Sequence, residues 1–351
     1  MFTETLTQRV SRSSLLKLLT GPHGIDRYTE LVDPTWTQGQ ARARIVAVRR
    51  QTPRSVTLTL QPNRAFAGFR AGQHINVSVE IDGRRRTRCY SPANAEGSAC
   101  LEITVGRHDG GLVSTYLCDE ARPGMIVGLD SVAGDFVLPD TRPSRILFVS
   151  GGSGITPVLA MLRTLRAEGF TGEIAFVHYS RSAAEACYRA ELDAMPGVRV
   201  LHGYTRDTAG ADLHGHFGPD HLAAAMPDPE AVFVCGPAVL IESMREVYPD
   251  ARSESFVPPV FAVPVDSTGG TVTFTASGVE VTDSGQTLLE QAEAAGLNPE
   301  SGCRMGICFS CTRPKTRGVV RNLLNGTVST DDCEDVRICV SAPVGDVAID
   351  L

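Results

Sequence analysis

Three cysteines fall within nine residues of one short stretch, SGCRMGICFSC. They are Cys303, Cys308 and Cys311, and a fourth, Cys339, follows after 27 intervening residues. The N-terminus lacks a basic segment leading into a long apolar run, so no signal peptide is expected and a soluble, cytoplasmic protein is. Structural disulfides are rare in a reducing compartment, so the cysteines point to a metal or redox site. Zinc sites pair C-x2–4-C on both halves, and Cys339 has no such partner. The spacing C-x4-C-x2-C…C suits four thiolates converging on a [2Fe–2S] cluster, three from one tight loop and one from a distant strand. Gly302 and Gly306 let that loop fold closely. Cys333, in the acidic run DDCED, reads as a surface residue. The scattered Cys89, Cys100, Cys118 and Cys187 read as small core residues.

Such a loop is small beside a chain of 351 residues, which has room for two or three domains. No run reaches the roughly 18 apolar residues a membrane span needs. The net charge of −7 is unevenly spread. From Val265 onward there are 12 acidic and 6 basic residues, whereas residues 41–140 carry 13 arginines against 10 acids. An acidic module beside a basic one argues against nucleic acid as the partner and for docking between charged protein surfaces.

The texture changes along the chain. Residues 1–38 form an N-terminal extension. Its SLLKLL segment places Leu15, Leu18 and Leu19 on one face, either packed on the next domain or meeting a membrane surface or partner. Residues 39–140 alternate apolar and polar residues in RIVAVRR, SVTLTLQP, HINVSVEIDG and CLEITVGR, the pattern of an antiparallel β-barrel, with one helix after Gly110-Gly111. Residues 141–256 alternate short apolar strands with helical stretches, including SAAEACYRAELDAM, which implies an α/β parallel sheet. Residues 257–264 are a proline-rich linker. Residues 265–351 begin with a hairpin turning at Ser277-Gly278 and a helix with a Thr287–Glu290 capping box and Gly296 at its C-terminal stop.

Two upstream sites accompany the cysteine loop. RCYS (Arg88–Ser91) ends a strand; an aromatic ring there can stack on a flat cofactor, and an arginine two residues earlier shares its side and can pair a phosphate. Gly110 and Gly111 precede Val113, Ser114 and Thr115 at a helix start, whose free N–H groups suit a pyrophosphate. FVSGGSGITP then brings Gly151, Gly152, Gly154, Thr156 and Pro157 between a strand and a helix, a second dinucleotide turn. It is not G-x-G-x-x-G, so it is no ordinary Rossmann fingerprint. VCGP (Cys235, Gly236, Pro237) ends a later strand. His214, His216 and His221 invite a metal reading, but the segment reads as a loop of a nucleotide domain. Arg84, Arg85 and Arg86 read as solvated hairpin charges.

In this order, the motifs resemble the ferredoxin–NADP reductase superfamily over roughly residues 40–351, and the last module, an α+β β-grasp fold in that family, resembles plant-type ferredoxins. The resemblance implies that FAD is held by Arg88, Tyr90, Ser91, Gly110, Gly111, Val113, Ser114 and Thr115. Tyr90 stacks on the isoalloxazine and Ser91 lies near its N5. It implies that Cys235 sits beside the nicotinamide and that Glu254 and Phe256 of SESF close the flavin site. Ser180, Arg181 and Tyr188 match an NADP-type pattern, with Arg206 a further phosphate partner, so NADPH is preferred to NADH. Ala186 departs from the lysine some relatives carry. The cluster ligands are Cys303, Cys308, Cys311 and Cys339. Leu18–Trp36 and Val320–Leu351 resemble bacterial reductases of membrane acyl-CoA desaturases. A redox partner of that kind is therefore expected, with a Rieske-type oxygenase or alkane hydroxylase as the alternative. A non-turnover iron–sulfur sensor is the alternative of another class.

Overall fold

The alternating segments of the first third pair into one antiparallel sheet, because each strand has one apolar face to hide. Its strands are β1 (Arg42–Thr52), β2 (Ser55–Pro62), β3 (His74–Ile81), β4 (Arg84–Tyr90), β5 (Leu101–Gly106) and β6 (Ile126–Ala133), in the order β4-β3-β6-β1-β2-β5. A bridge between Pro92 and Ile103 joins the two outer strands and closes the sheet on itself. Helix α1 (Leu112–Glu120) plugs one end with Val113, Leu117 and Cys118. The computed structural model describes residues 26–37, 39–256, 269–307 and 309–351. Leu15, Leu18, Leu19, the linker 257–264 and Cys308 lie outside the described residues.

The second sheet is parallel throughout. It contains β7 (Arg145–Gly151), β8 (Glu173–Ser180), β9 (Val198–Tyr204), β10 (Leu213–His214), β11 (Ala231–Cys235) and β12 (Arg252–Glu254), ordered β10-β9-β8-β7-β11-β12. Helices α2 (Ile155–Ala167), α3 (Arg189–Asp193), α4 (Pro219–Ala225) and α5 (Ala238–Val247) connect the strands. Near-continuous apolar strands follow from burial on both faces. Phe148, Phe176 and Phe233 meet across the middle, with centroids 5.7 and 6.1 Å apart. The chain enters at β7, runs outward through β8 to β10, then returns to the other side at β11. That reversal opens a crevice beyond the carboxyl ends of β7 and β11, where a parallel sheet takes its ligands.

The third sheet is mixed: β13 (Thr271–Phe274), β14 (Val279–Thr282), β15 (Thr312–Asn322), β16 (Val328–Ser329) and β18 (Ser341–Ile349) run β14-β13-β18-β15-β16, with β17 (Glu334–Arg337) paired to β15. Helix α6 (Leu288–Ala294) packs on it through Leu288, Leu289 and Ala292. The capping box at Thr287 and Glu290 is formed. At the other end Gly296 (φ +82°) donates to Glu293 and Leu297 to Ala292, the double bond of a glycine-stopped helix. Inside, the Lys315 ammonium is fully buried and donates to the carbonyls of Gly318 and Asp331.

One expected helix is corrected. SAAEACYRAELDAM forms a 3-10 turn (Ala183–Glu185) and only five residues of α3. Tyr188 breaks it by adopting φ +59°. This turns its ring, 4% exposed, toward the barrel. The hydroxyl lies 2.5 Å from Thr104 Oγ1 and 3.4 Å from Thr57 Oγ1, and the guanidiniums of Arg163 and Arg49 face the ring at 5.2 and 5.8 Å. Tyr188 is thus packed on the barrel rather than carried on a helix. Tyr188→Phe should cost about 1 kcal/mol by removing its buried bond to Thr104, whose hydroxyl keeps its 2.7 Å bond to Thr57, or about 2–4 °C in unfolding midpoint. Its KM for NADPH should equal that of the unaltered chain in a steady-state assay.

Candidate functional site

The barrel and the parallel sheet face each other across a crevice of about 600 Å³, lined by Thr104, Gly151, Gly154, Ser180, Arg181 and Phe256 among others. From the barrel side, β4 ends on Arg88, Cys89 and Tyr90. Arg88 and Tyr90 share one side of the strand at half burial. Arg88 donates to the Thr87 carbonyl (2.7 Å) and has no ion pair among the described residues. Burial pushes the Tyr90 phenol above its ordinary range, so it remains a neutral ring. Ser91 is 2% exposed and its hydroxyl has no hydrogen-bond partner.

Gly111 is the N-cap of α1, with no side-chain cap and no acid in the first turn. Its place must be taken by glycine, because a Cβ there would lie 2.6 Å from Ser114 Oγ and 2.9 Å from His108 Cβ. Ser114 Oγ donates to the Gly111 carbonyl and accepts from the His108 N–H, and Thr115 N–H donates to Gly111. Val113 is anchored in the barrel core. The turn therefore presents uncapped helix N–H groups, the donor set a phosphate needs.

From the sheet side, β7 runs into the Gly152–Gly154 turn and α2, again without a side-chain cap. Thr156 Oγ1 donates to the Ser153 carbonyl, and Thr156 and Pro157 are buried. Beside this turn, β11 delivers Cys235, Gly236 and Pro237. Cys235 is fully buried, and burial followed by the nearby Glu254 raises its thiol well above the ordinary range. Glu254 stands opposite Cys235 in the β11–β12 register. Ser180 Oγ donates to the Ser182 carbonyl. Arg181 is half exposed at the crevice rim, 3.9 Å from Glu185 and within electrostatic reach of Asp109. Arg206 donates its N–H to the Arg181 carbonyl, tying the two loops together.

In the loops beside the third sheet Cys303, Cys311 and Cys339 are buried, and Cys339 interacts with the other two. A hydrogen bond with Cys311, then burial, then the charge of Cys311 and Cys303 push the Cys339 thiol upward. The N–H groups of Met305 and Ile307 donate to Cys303 Sγ at 3.3 and 3.4 Å. Loop amides aimed at sulfur suit a thiolate-bound cluster. Gly306 (φ +74°) makes the turn, and Val340 and Leu324 lie too near for a Cβ. Among the described residues no three His, Cys, Asp or Glu side chains are spaced for one metal ion. Cys308, the fourth expected ligand, lies outside them.

Two residues escaped sequence reasoning. Cys89 is half buried, not core, and packs with Ile307 against Cys303 and Met305, placing the cysteine loop beside the strand end that carries Tyr90. Cys100 is half buried as well. His74, 2% exposed, stands 3.6 Å from Glu254 where the barrel meets the nucleotide sheet. Neither position has a local signature, since each is defined by a contact between distant segments. Cys333 is exposed, as expected. Of the histidine cluster, His221 hydrogen-bonds Tyr179 (2.6 Å) and stacks on its ring.

Comparisons with known proteins agree with this geometry. Residues 47–137 match the oxidoreductase FAD-binding domain family and residues 148–246 the oxidoreductase NAD-binding domain family. An NADPH oxidoreductase of Mycobacterium tuberculosis is 36% identical, covering 95% of this chain and 90% of its own length. The glycine betaine monooxygenase reductase subunit of Pseudomonas aeruginosa is 29% identical, over 90% and 96%. The structure of phthalate dioxygenase reductase, described as modular for electron transfer from pyridine nucleotides to [2Fe–2S], aligns with a TM-score of 0.59 at 25% identity, covering 88% of this chain and 97% of that one. With its closed antiparallel barrel, its parallel nucleotide sheet and the uncapped turns between them, the chain belongs to the ferredoxin–NADP reductase-like oxidoreductases that bind FAD and NAD(P).

Proposed function

We propose that the chain carries electrons from NADPH through FAD to a [2Fe–2S] cluster and on to a membrane acyl-CoA desaturase. The modules are the barrel (39–140), the nucleotide domain (141–256) and a ferredoxin domain (265–351) of β-grasp type, joined by the 257–264 linker. The observation that carries this reading is the packing of Cys303 and Met305 on Cys89, one residue from Tyr90. When bound, FAD would supply the exchange between two-electron nicotinamide chemistry and one-electron cluster chemistry. The chain's own residues do the rest. Tyr90 provides the stacking face, and Arg88 with the Gly110–Thr115 turn holds phosphate. Ser91, Cys235 and Glu254 edge the reacting face, and Phe256 covers it. Gly151, Gly152, Gly154, Thr156, Pro157, Gly236 and Pro237 shape the nucleotide seat. Cys303, Cys308, Cys311 and Cys339 hold the irons. A sensor without turnover would not need the nucleotide crevice.

The desaturase as acceptor is supported by the resemblance of Leu18–Trp36 and Val320–Leu351, and by one feature of the fold. Residues 26–37 leave Tyr28, Leu31, Val32 and Trp36 exposed at 54, 83, 74 and 57%. Aromatic and aliphatic side chains grouped on a surface segment suit the headgroup level of a membrane. No helix among the described residues is long and apolar enough to cross one. A second reading, reductase of a Rieske-type oxygenase, is favoured by the likeness to the glycine betaine monooxygenase reductase subunit.

The acceptor is tested by supplying reduced chain to a stearoyl-CoA desaturase in vesicles and to a Rieske oxygenase. Oleoyl-CoA should form with the first; turnover of the oxygenase alone would overturn the assignment. Arg181→Ala should raise the KM for NADPH about tenfold and that for NADH less than about twofold, because only NADPH offers a 2′-phosphate to the guanidinium. Equal losses would make Arg181 structural. Cys311→Ser should abolish the visible [2Fe–2S] absorption while the chain retains FAD, read from iron, sulfide and flavin content.

A further inference from the structure

We propose that His74 is a positioning residue that holds the Glu254 carboxylate at the reacting end of the flavin–nicotinamide crevice. His74 opens β3, and the register that pairs Ile75 with Tyr90 sets it opposite Ser91 as the ladder ends. The ring is 2% exposed, and both nitrogens are buried without a hydrogen-bond partner. Leaving such groups unpaired costs stability, so a buried orphan pair asks for an explanation. Nδ1 points across the gap between the two sheets and stops 3.6 Å from Glu254 Oε1. The other oxygen of that carboxylate, Oε2, is also buried without a partner, as is the neighbouring Ser91 hydroxyl. Two buried polar side chains from two sheets therefore meet with unfilled hydrogen-bonding capacity, and Ser91, next in register to His74, carries a third unpartnered group.

The separation is slightly long for a hydrogen bond. Hydrogen bonds of a reaction site are often loose before the site is filled and tighten on closure. The ring is held for this purpose. It is backed by Gly134 (φ +117°), where a Cβ would come within 3.2 Å of Nδ1, so any larger residue would push the imidazole out of line. On the other side, Glu254 sits at the end of the short strand β12, in register with Cys235. With only three residues in that strand, the carboxylate needs a second anchor, and Nδ1–H is the donor within reach. The imidazole thus ties the barrel to the last strand of the nucleotide sheet through the group that edges the reacting face.

This inference rests on the crevice being the flavin–nicotinamide site. If the purified chain does not hold FAD, that reading fails before His74 is tested. With FAD bound, anaerobic stopped-flow mixing with NADPH separates nucleotide affinity from the rate of flavin reduction. His74→Leu keeps the bulk and removes the donor; it should slow flavin reduction at saturating NADPH about tenfold, with affinity changed less than about twofold. His74→Asn, which restores an N–H near Nδ1, should recover most of the rate. Glu254→Gln should slow reduction similarly, and the double variant should be no slower than either, because the two act through one contact. The flavin visible spectrum and the unfolding midpoint provide readouts apart from turnover. A perturbed spectrum in His74→Leu, relieved in His74→Asn with an unchanged midpoint, supports positioning. Additive losses in the double variant, or equal losses in His74→Leu and His74→Asn, would overturn it.

Discussion

Arg163 sits on the third turn of α2, the helix whose first turn forms the nucleotide loop, and the two-sheet architecture turns on its contacts. Its guanidinium donates to Glu102 of β5, to the Ala93 carbonyl and in a fork to Glu191, while its face covers Tyr188. Burial opposes the charge, but the two carboxylates outweigh it and raise the guanidinium's pKa overall. Replacing such a network with well-packed apolar groups is often neutral in stability, so its value lies in geometry. A hydrophobic interface could slide; four directional bonds to one planar group cannot. The glycine turn at one end of α2 is thereby held at a set distance from the barrel, and the crevice keeps its width.

The cysteine loop extends the same logic to a third sheet. Its contact with the barrel is small, Cys303 and Met305 on Cys89 with Ile307 beside them. Cys89 donates to Asn76 Oδ1 (2.9 Å), and Asn76 donates to Ser131, so the contact rests on three neighbouring barrel strands. Electron transfer requires proximity more than a large interface. Small, partly polar contacts between modules also leave the opposite side of the loop, where Phe309 is exposed beneath the Arg337 guanidinium, open to another protein.

Much of this was legible in the chain because it is local. Alternation gave the barrel strands, continuous apolar runs the parallel ones, and Thr287, Glu290 and Gly296 marked both ends of α6 through bonds spanning five residues or fewer. The uncapped helix starts after Gly111 and Gly154 were legible for the same reason. Tyr188 was misplaced because its helical surroundings are outweighed by a tertiary pull: the ring gains two threonine partners and two guanidiniums only by leaving the helix, at the cost of a left-handed backbone. His74 was missed since a histidine opening an alternating strand has no periodic signature. Its partner lies 180 residues away.

The two glycine motifs of the nucleotide sheet show how distant local signals can be halves of one contact. A Cβ at Gly154 would lie 2.3 Å from the Cys235 carbonyl oxygen, and one at Gly151 would lie 2.8 Å from Pro237 Cδ. A Cβ at Gly236 would in turn come within 3.0 Å of the Gly151 nitrogen. Each turn is therefore glycine-rich because the other occupies the space its side chains would need. Backbone meets backbone where β7 and β11 end, and the helix N–H groups are brought to the sheet edge without side chains in the way. Cys235 completes the floor as a small, neutral, buried thiol. Were a larger residue to stand at Gly154, the two strand ends would have to separate. The loss would then fall on both motifs together, although 80 residues of chain lie between them.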